Sequence, residues 1–190
     1  RLRHRWPFAE KIVNYADYPA YGDSLTKAVA YAYVFENHNW PQSHYNLAEM
    51  YLEQGKTQKA RNQFLAVSDF YPERSSPFHR IADTYMKEGR WQLAEQFLKT
   101  ALDKTNQQGL IYKDLAQCLW HQGKIGQALQ SIQKAIVAPE LSREQKALAT
   151  FRLAGFLIQG RRYEDARRAL QDALRFDPGF RPARDLLERI

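Results

Sequence analysis

Asn46-Leu47-Ala48-Glu49-Met50-Tyr51-Leu52-Glu53-Gln54-Gly55-Lys56-Thr57-Gln58-Lys59-Ala60 is the stretch whose reading decides the fold. Its skeleton is Leu47-Ala48, then Tyr51, Gly55 and Ala60, and it returns 34 residues later as Ile81-Ala82, Tyr85, Gly89 and Ala94. After a second interval of 34 it returns as Leu115-Ala116, Leu119, Gly123 and Ala128. A fixed period of this length marks a stacked array of one supersecondary unit. Leu47, Ala48 and Tyr51 stand at i, i+1 and i+4, on one face of a helix. The small residue of each unit (Ala48, Ala82, Ala116 and, further on, Ala154) admits a second helix at close range. Gly55, Gly89 and Gly123 stand where a first helix ends in a left-handed residue.

The second helix of each unit carries its own small-and-large stripe. It reads Ala60-Phe64-Val67, then Ala94-Leu98-Ala101, then Ala128-Ile132-Ala135, and Pro72 closes the first unit. The spacing therefore predicts antiparallel helix pairs and no strands. On these residues the chain resembles the tetratricopeptide repeat family over roughly residues 41–180. The resemblance implies an all-α fold: a right-handed superhelical array of antiparallel helix pairs, whose first helices line a concave groove for a peptide or helix of another protein.

The units are expected at 41–74, 75–108, 109–138 and 139–180. Ahead of them, residues 1–40 fit the repeat poorly and read as a helical hairpin or divergent repeat. It consists of a short helix over 7–16, turn chemistry at 17–23, and a second helix to about Glu36. Pro41 suits the first turn of the first full repeat. Ser76 is expected to cap the second repeat, with Pro77 at the helix start. Trp91 and its counterpart Tyr163 are expected to pack between helices.

The third interval, to Leu153-Ala154, is 38 residues, with the extra turn at Pro139–Lys146. Ser142-x-x-Gln145 is a capping-box pattern, so this first helix is expected to start a turn early, near Arg143. Gly160 comes one residue early, leaving Arg161 where glycine usually stands. Pro182 opens a final helix over 181–190, with Leu186, Leu187 and Ile190 apolar: a capping helix or the start of a further repeat.

Composition limits the function classes. The chain has 190 residues, 44% hydrophobic and 26% charged, enough for a sizeable core. No run of about 18 apolar residues is present to span a membrane. The chain opens on Arg1 and stops inside a helical pattern at Ile190, as a piece of a longer protein would. Cys118, the single cysteine, is expected in the core. The net charge of +7 sits at the ends: +3 over residues 1–11, +4 over 143–190, and zero between. A nucleic-acid track would be continuous, so this distribution disfavours one.

No catalytic, metal or cofactor site is expected. The five histidines (His4, His38, His44, His79 and His121) form no H-E-x-x-H motif and no metal spacing with cysteine. His79 and Asp83 share a helix face as a solvated or ion-paired couple. Gly123-Lys124-Ile125-Gly126 is a repeat turn rather than a phosphate loop.

The resemblance also implies which positions face the groove. These are Gln42, Tyr45, Asn46, Glu49 and Glu53 in the first repeat, and His79, Arg80, Asp83, Met86 and Lys87 in the second. The third offers Lys113, Asp114, Gln117, Trp120 and His121; the fourth offers Leu148, Phe151, Arg152 and Gln159. Tyr45, Met86, Trp120 and Phe151 would take apolar side chains of a partner. Arg80, Lys113 and Arg152 would hold carboxylates. Of the carboxylate-clamp positions in chaperone-binding members only Arg152 fits, which excludes that subfamily.

The expected function is a non-enzymatic interaction scaffold with a protein or peptide partner. Three alternatives stand beside it. The N-terminal hairpin, the basic entry segment and Phe70-Tyr71-Pro72 are similar to the soluble tail of bacterial O-antigen ligase or polymerase-type glycosyltransferases. That would make the chain an accessory domain on the cytoplasmic or periplasmic side of a membrane-associated protein, with Arg1–Arg5 meeting anionic lipid. The basic C-terminal face (Arg161, Arg162, Arg167, Arg168 and Arg175) would serve nucleic acid. An exposed terminal helix would serve self-association as a homo-oligomer.

Overall fold

The computed structural model describes residues 41–190; the expected hairpin over 1–40 and the basic entry segment lie outside the described residues. Those described fold into α-helices alone. In order they are α1 (Pro41–Glu53), α2 (Thr57–Phe70), α3 (Ser75–Lys87), α4 (Trp91–Leu102), α5 (Gly109–His121), α6 (Ile125–Val137), α7 (Arg143–Gln159), α8 (Tyr163–Phe176) and α9 (Arg181–Leu187). None of these is long and apolar enough to cross a membrane. They form two compact units: one ends at Glu88 and holds α1–α3, the other runs from Gly89 to Ile190 and holds α4–α9.

Each unit is built on the alanine seam. In the first unit α1 packs on α2 and α2 on α3. Ala48, Ala60 and Ala82 are fully buried, with Phe64 and Ile81 beside them. In the second unit each helix packs on the next, from α4 through α9. There Ala94, Ala116, Ala128, Ala154 and Ala166 are fully buried, as is Cys118.

The first helices end as expected. Gly55, Gly89 and Gly123 take φ of 70°, 70° and 74°. At Gly55 the Lys56 amide donates to the Tyr51 carbonyl (2.8 Å) and the Gly55 amide to Leu52 (3.0 Å). This pair of bonds closes the helix end in a Schellman turn. The same turn closes α7, but Arg161 holds the left-handed position, with φ 58°. Its amide donates to Ile158 at 2.9 Å and the Arg162 amide to Leu157 at 2.8 Å.

The inserted turn behaves as its sequence implies. Ser142 caps α7 in a complete capping box with Gln145. The same insert reaches back to the start of α5. The Glu140 carboxylate accepts a 2.7 Å hydrogen bond from the Gly109 amide. That backbone bond is the main cause holding the Glu140 pKa below its ordinary value. Leu141 and Ala138 lie so close to Gly109 that a Cβ there would meet them at 2.7 and 2.8 Å. Glycine opens α5 because the insert needs the space.

Two expectations are corrected. Helix α3 begins at Ser75 with Arg74 at its N-cap and no side-chain cap, so Ser76 does not cap it. Pro77 is buried in its first turn. Tyr163 is 50% exposed rather than packed between helices, whereas Trp91 stacks flat on His121, with ring centroids 3.9 Å apart.

Two buried charges tie helices together. In the first unit Arg61 of α2 donates to Thr84 Oγ1 (2.9 Å), pairs with Glu88 (2.5 Å) and lies over the Tyr85 ring. In the second unit buried Glu95 of α4 receives Lys99 (2.6 Å), Lys124 (2.8 Å) and Gln122 (2.8 Å). Burial alone would raise its pKa; the hydrogen bonds from Lys124, Lys99 and Gln122 outweigh that and lower it to about 2.

A carboxylate with a depressed folded pKa contributes stability that is present above its unfolded value, near 4.5, and lost as the pH falls towards 2. Glu95→Gln should therefore cost about 3 kcal/mol at pH 7. In urea unfolding followed by circular dichroism, the gap to the wild type should close as the pH drops from 5 to 2. Arg161→Gly, which relieves a left-handed residue, should raise stability by about 1 kcal/mol in the same assay.

Candidate functional site

The first helix of each repeat carries the positions expected to face a groove. In the first unit these lie on α1 and α3. Arg80 of α3 makes a two-pronged contact with the Glu49 carboxylate of α1; the Nε–Oε1 distance is 2.8 Å. It also holds Asp83 at 2.8 Å. Burial works against the charge on Arg80, but the Glu49 hydrogen bond and the charges of Glu49 and Asp83 outweigh it and raise its pKa. Its guanidinium is thus engaged inside the unit, and a partner carboxylate would have to compete with Glu49. Tyr45 meets Phe64 edge-on at 5.4 Å. Asn46 accepts from Gln42 at 2.9 Å. Half-buried His79 lies one turn before Asp83, and Lys87 is exposed in the last turn of α3.

In the second unit α5 and α7 are stapled side by side. The Trp120 indole N–H donates to Gln159 Oε1 at 2.5 Å, and the indole stacks on Phe156, centroids 4.4 Å apart and planes at 10°. Along the same face, Arg152 of α7 donates to Gln117 Oε1 of α5 at 2.6 Å and stands 3.7 Å from Asp114. Lys113 lies 3.3 Å from the same aspartate. Lys113, Gln117, Trp120 and Arg152 therefore form one patch of mixed chemistry, its indole still partly exposed.

Two expected members stand elsewhere. Phe151 meets Phe180 edge-on at 5.4 Å and packs against the core of the C-terminal helices. His121 is the stacking partner of Trp91 on α4.

Gly155 was not legible as part of this patch. It shares a helix stripe with Arg152 and Gln159 at i+3 and i−4 spacing. A Cβ at this position would meet nothing within 4 Å. The helix surface between Arg152 and Gln159 is therefore open at this position. Phe156, which orients the indole, was also missed: it looks like one more apolar residue of a long helix.

Two of the C-terminal arginines are committed to aspartates of α8. Arg162 pairs with Asp165 at 2.6 Å and Arg175 with Asp172 at 2.8 Å. Arg167 and Arg168 are exposed.

Residues 42–74 and 85–138 each match the tetratricopeptide repeat family. The chain carries tetratricopeptide repeats. The sequence matches no curated protein. Among solved structures, MamA residues 41–end from Desulfovibrio magneticus RS-1 superposes with a TM-score of 0.71 at 14% identity, covering 83% of this chain and 86% of that one. TTC0263, a thermophilic TPR protein of Thermus thermophilus, gives 0.69 at 17% identity over 88% and 89%. YrrB, described as a TPR protein with an unusual peptide-binding site, gives 0.64 at 16% identity over 81% and 77%. At these identities the likeness establishes the all-α tetratricopeptide fold.

Because Gly155 is helical and its Cβ position is open, Gly155→Ala should stabilise the chain by about 1 kcal/mol through helix propensity alone. An upward shift of the urea midpoint checks this.

Proposed function

We propose that this chain is a non-catalytic protein-interaction domain whose first-helix faces bind a peptide or helical segment of a partner. The α5–α7 patch is the stronger candidate. The observation that carries this reading is the pair of staples, Trp120 to Gln159 and Arg152 to Gln117, which orient an indole and a guanidinium beside the bare Gly155. Rigid aromatic and arginine side chains of this kind are the residues that dominate interface energetics. The segment would place an apolar side chain against Trp120 and Gly155, and an acidic group towards Arg152 and Lys113. The family resemblance supports a scaffold role, and the similar YrrB is described as having a peptide-binding site.

The patch is a compact set of side chains already bonded to one another. A ligand that trades one of those bonds for its own gains only the difference. Most of the affinity should therefore come from burying the indole face against the open surface at Gly155, with Arg152 setting specificity.

A displayed library of random peptides selected on the wild-type chain tests the reading. Selected peptides should carry an apolar residue near an acidic one. Their affinity, read by fluorescence anisotropy, should fall at least tenfold with Trp120→Ala and with Gly155→Leu, and stay within twofold with Arg167→Gln. Peptides whose affinity survives both patch variants would overturn it.

A further inference from the structure

A second concavity lies within the C-terminal unit, away from the α5–α7 patch. It is a groove of about 570 Å³ between α6 and α8, floored by α7. The interior is apolar: Ile136 of α6, Leu153 and Leu157 of α7, and Ala169 and Phe176 of α8. Val137, the last residue of α6, stands at its edge 75% exposed. The inserted turn follows directly and leads into Arg143, the first residue of α7, which also lines the groove.

The rim is unevenly charged. Asp165 is paired with Arg162, and Asp172 with Arg175. Arg168 lines the groove and makes no ion pair among the described residues. With Arg143, which has Glu144 beside it, it leaves two cations that neither rim aspartate pairs with.

Gln133 offers a side-chain amide at the rim, but the floor has little hydrogen bonding to offer. The Thr150 hydroxyl already donates to the Lys146 carbonyl at 2.7 Å, and the helix backbones satisfy themselves. A sugar, a nucleotide or an extended peptide would lose hydrogen bonds to water without replacement. A docked helix satisfies its own backbone, but the volume equals only about one helical turn with its side chains, roughly a cylinder 10–12 Å across and 5.4 Å tall. It does fall within the range of about 300–1,000 Å³ typical of small-ligand pockets.

We propose that this groove binds a single-chain anionic amphiphile. The apolar tail lies along Leu153 and Leu157, and a carboxylate head meets Arg143 and Arg168 at the rim. The site is separate from the peptide patch and does not rest on the reading given for it.

Dodecanoate, titrated below its micelle concentration into the full chain by calorimetry, is the first probe. One molecule should bind per chain, and dodecyltrimethylammonium, with the same tail and the opposite charge, at least tenfold more weakly. Val137→Glu, at an exposed position, and the double variant Arg143→Gln, Arg168→Gln should each weaken dodecanoate at least tenfold. Arg167→Gln and Gly155→Leu should leave it within twofold. Absence of saturable binding would overturn the proposal, as would equal binding of the two amphiphiles. So would an unchanged affinity in the double variant, or a loss as large with Arg167→Gln.

Discussion

Close helix approach is the constraint on which everything else here depends. Ala48, Ala82, Ala116 and Ala154 on the first helices, and Ala60, Ala94, Ala128 and Ala166 on the second, have no measurable exposure. A larger side chain at any of them would have to displace a neighbouring backbone, and a close-packed interior absorbs little of that. Once the backbones touch along these alanines, the large residues on either side have one place to go. Phe64, Leu98, Ile132 and Leu170, one turn past each second-helix alanine, are likewise completely enclosed.

The faces that could meet partners are what remains after this packing is complete. On the α5–α7 face, two helices that follow one another through α6 meet by their long side chains. Trp120 reaches Gln159 and Arg152 reaches Gln117. Between α6 and α8 no such long pairs span the opening among the described residues, and the groove reaches down to Leu153 and Leu157 of α7. The same helix therefore carries a bonded polar stripe on one side and floors an apolar groove on the other.

Much of this was legible in the sequence, because whatever repeats leaves a period. Gly55, Gly89 and Gly123 predicted their own left-handed conformation, and Arg161 could be named as the substitute for a fourth glycine. The Ser142–Gln145 cap was legible because its signature is local. The rest depends on contacts between residues distant in the chain. Nothing near Arg61 marks it as buried, since its partners Thr84, Tyr85 and Glu88 lie on or just past the next helix. Tyr163 occupies the same register as Trp91, yet among the described residues no counterpart of His121 stacks on it. The candidate patch was half legible: the register named Lys113, Gln117, Trp120 and Arg152, but it could not show that Arg80 is engaged by Glu49 or that Phe151 turns to Phe180.

Through its bond to Gly109, Glu140 ties the opening of α5 to the turn before α7. In an ideal array each element touches only its neighbours, and unfolding can creep inward from an end like a zip. Here a carboxylate from the turn before α7 seals the opening of α5, 31 residues back along the chain. Loosening that turn uncaps a helix two elements earlier, so α5, α6 and α7 share a fate. The insert that breaks the period acts as a rivet through three plates, and the stretch it joins should open as one cooperative block instead of fraying helix by helix.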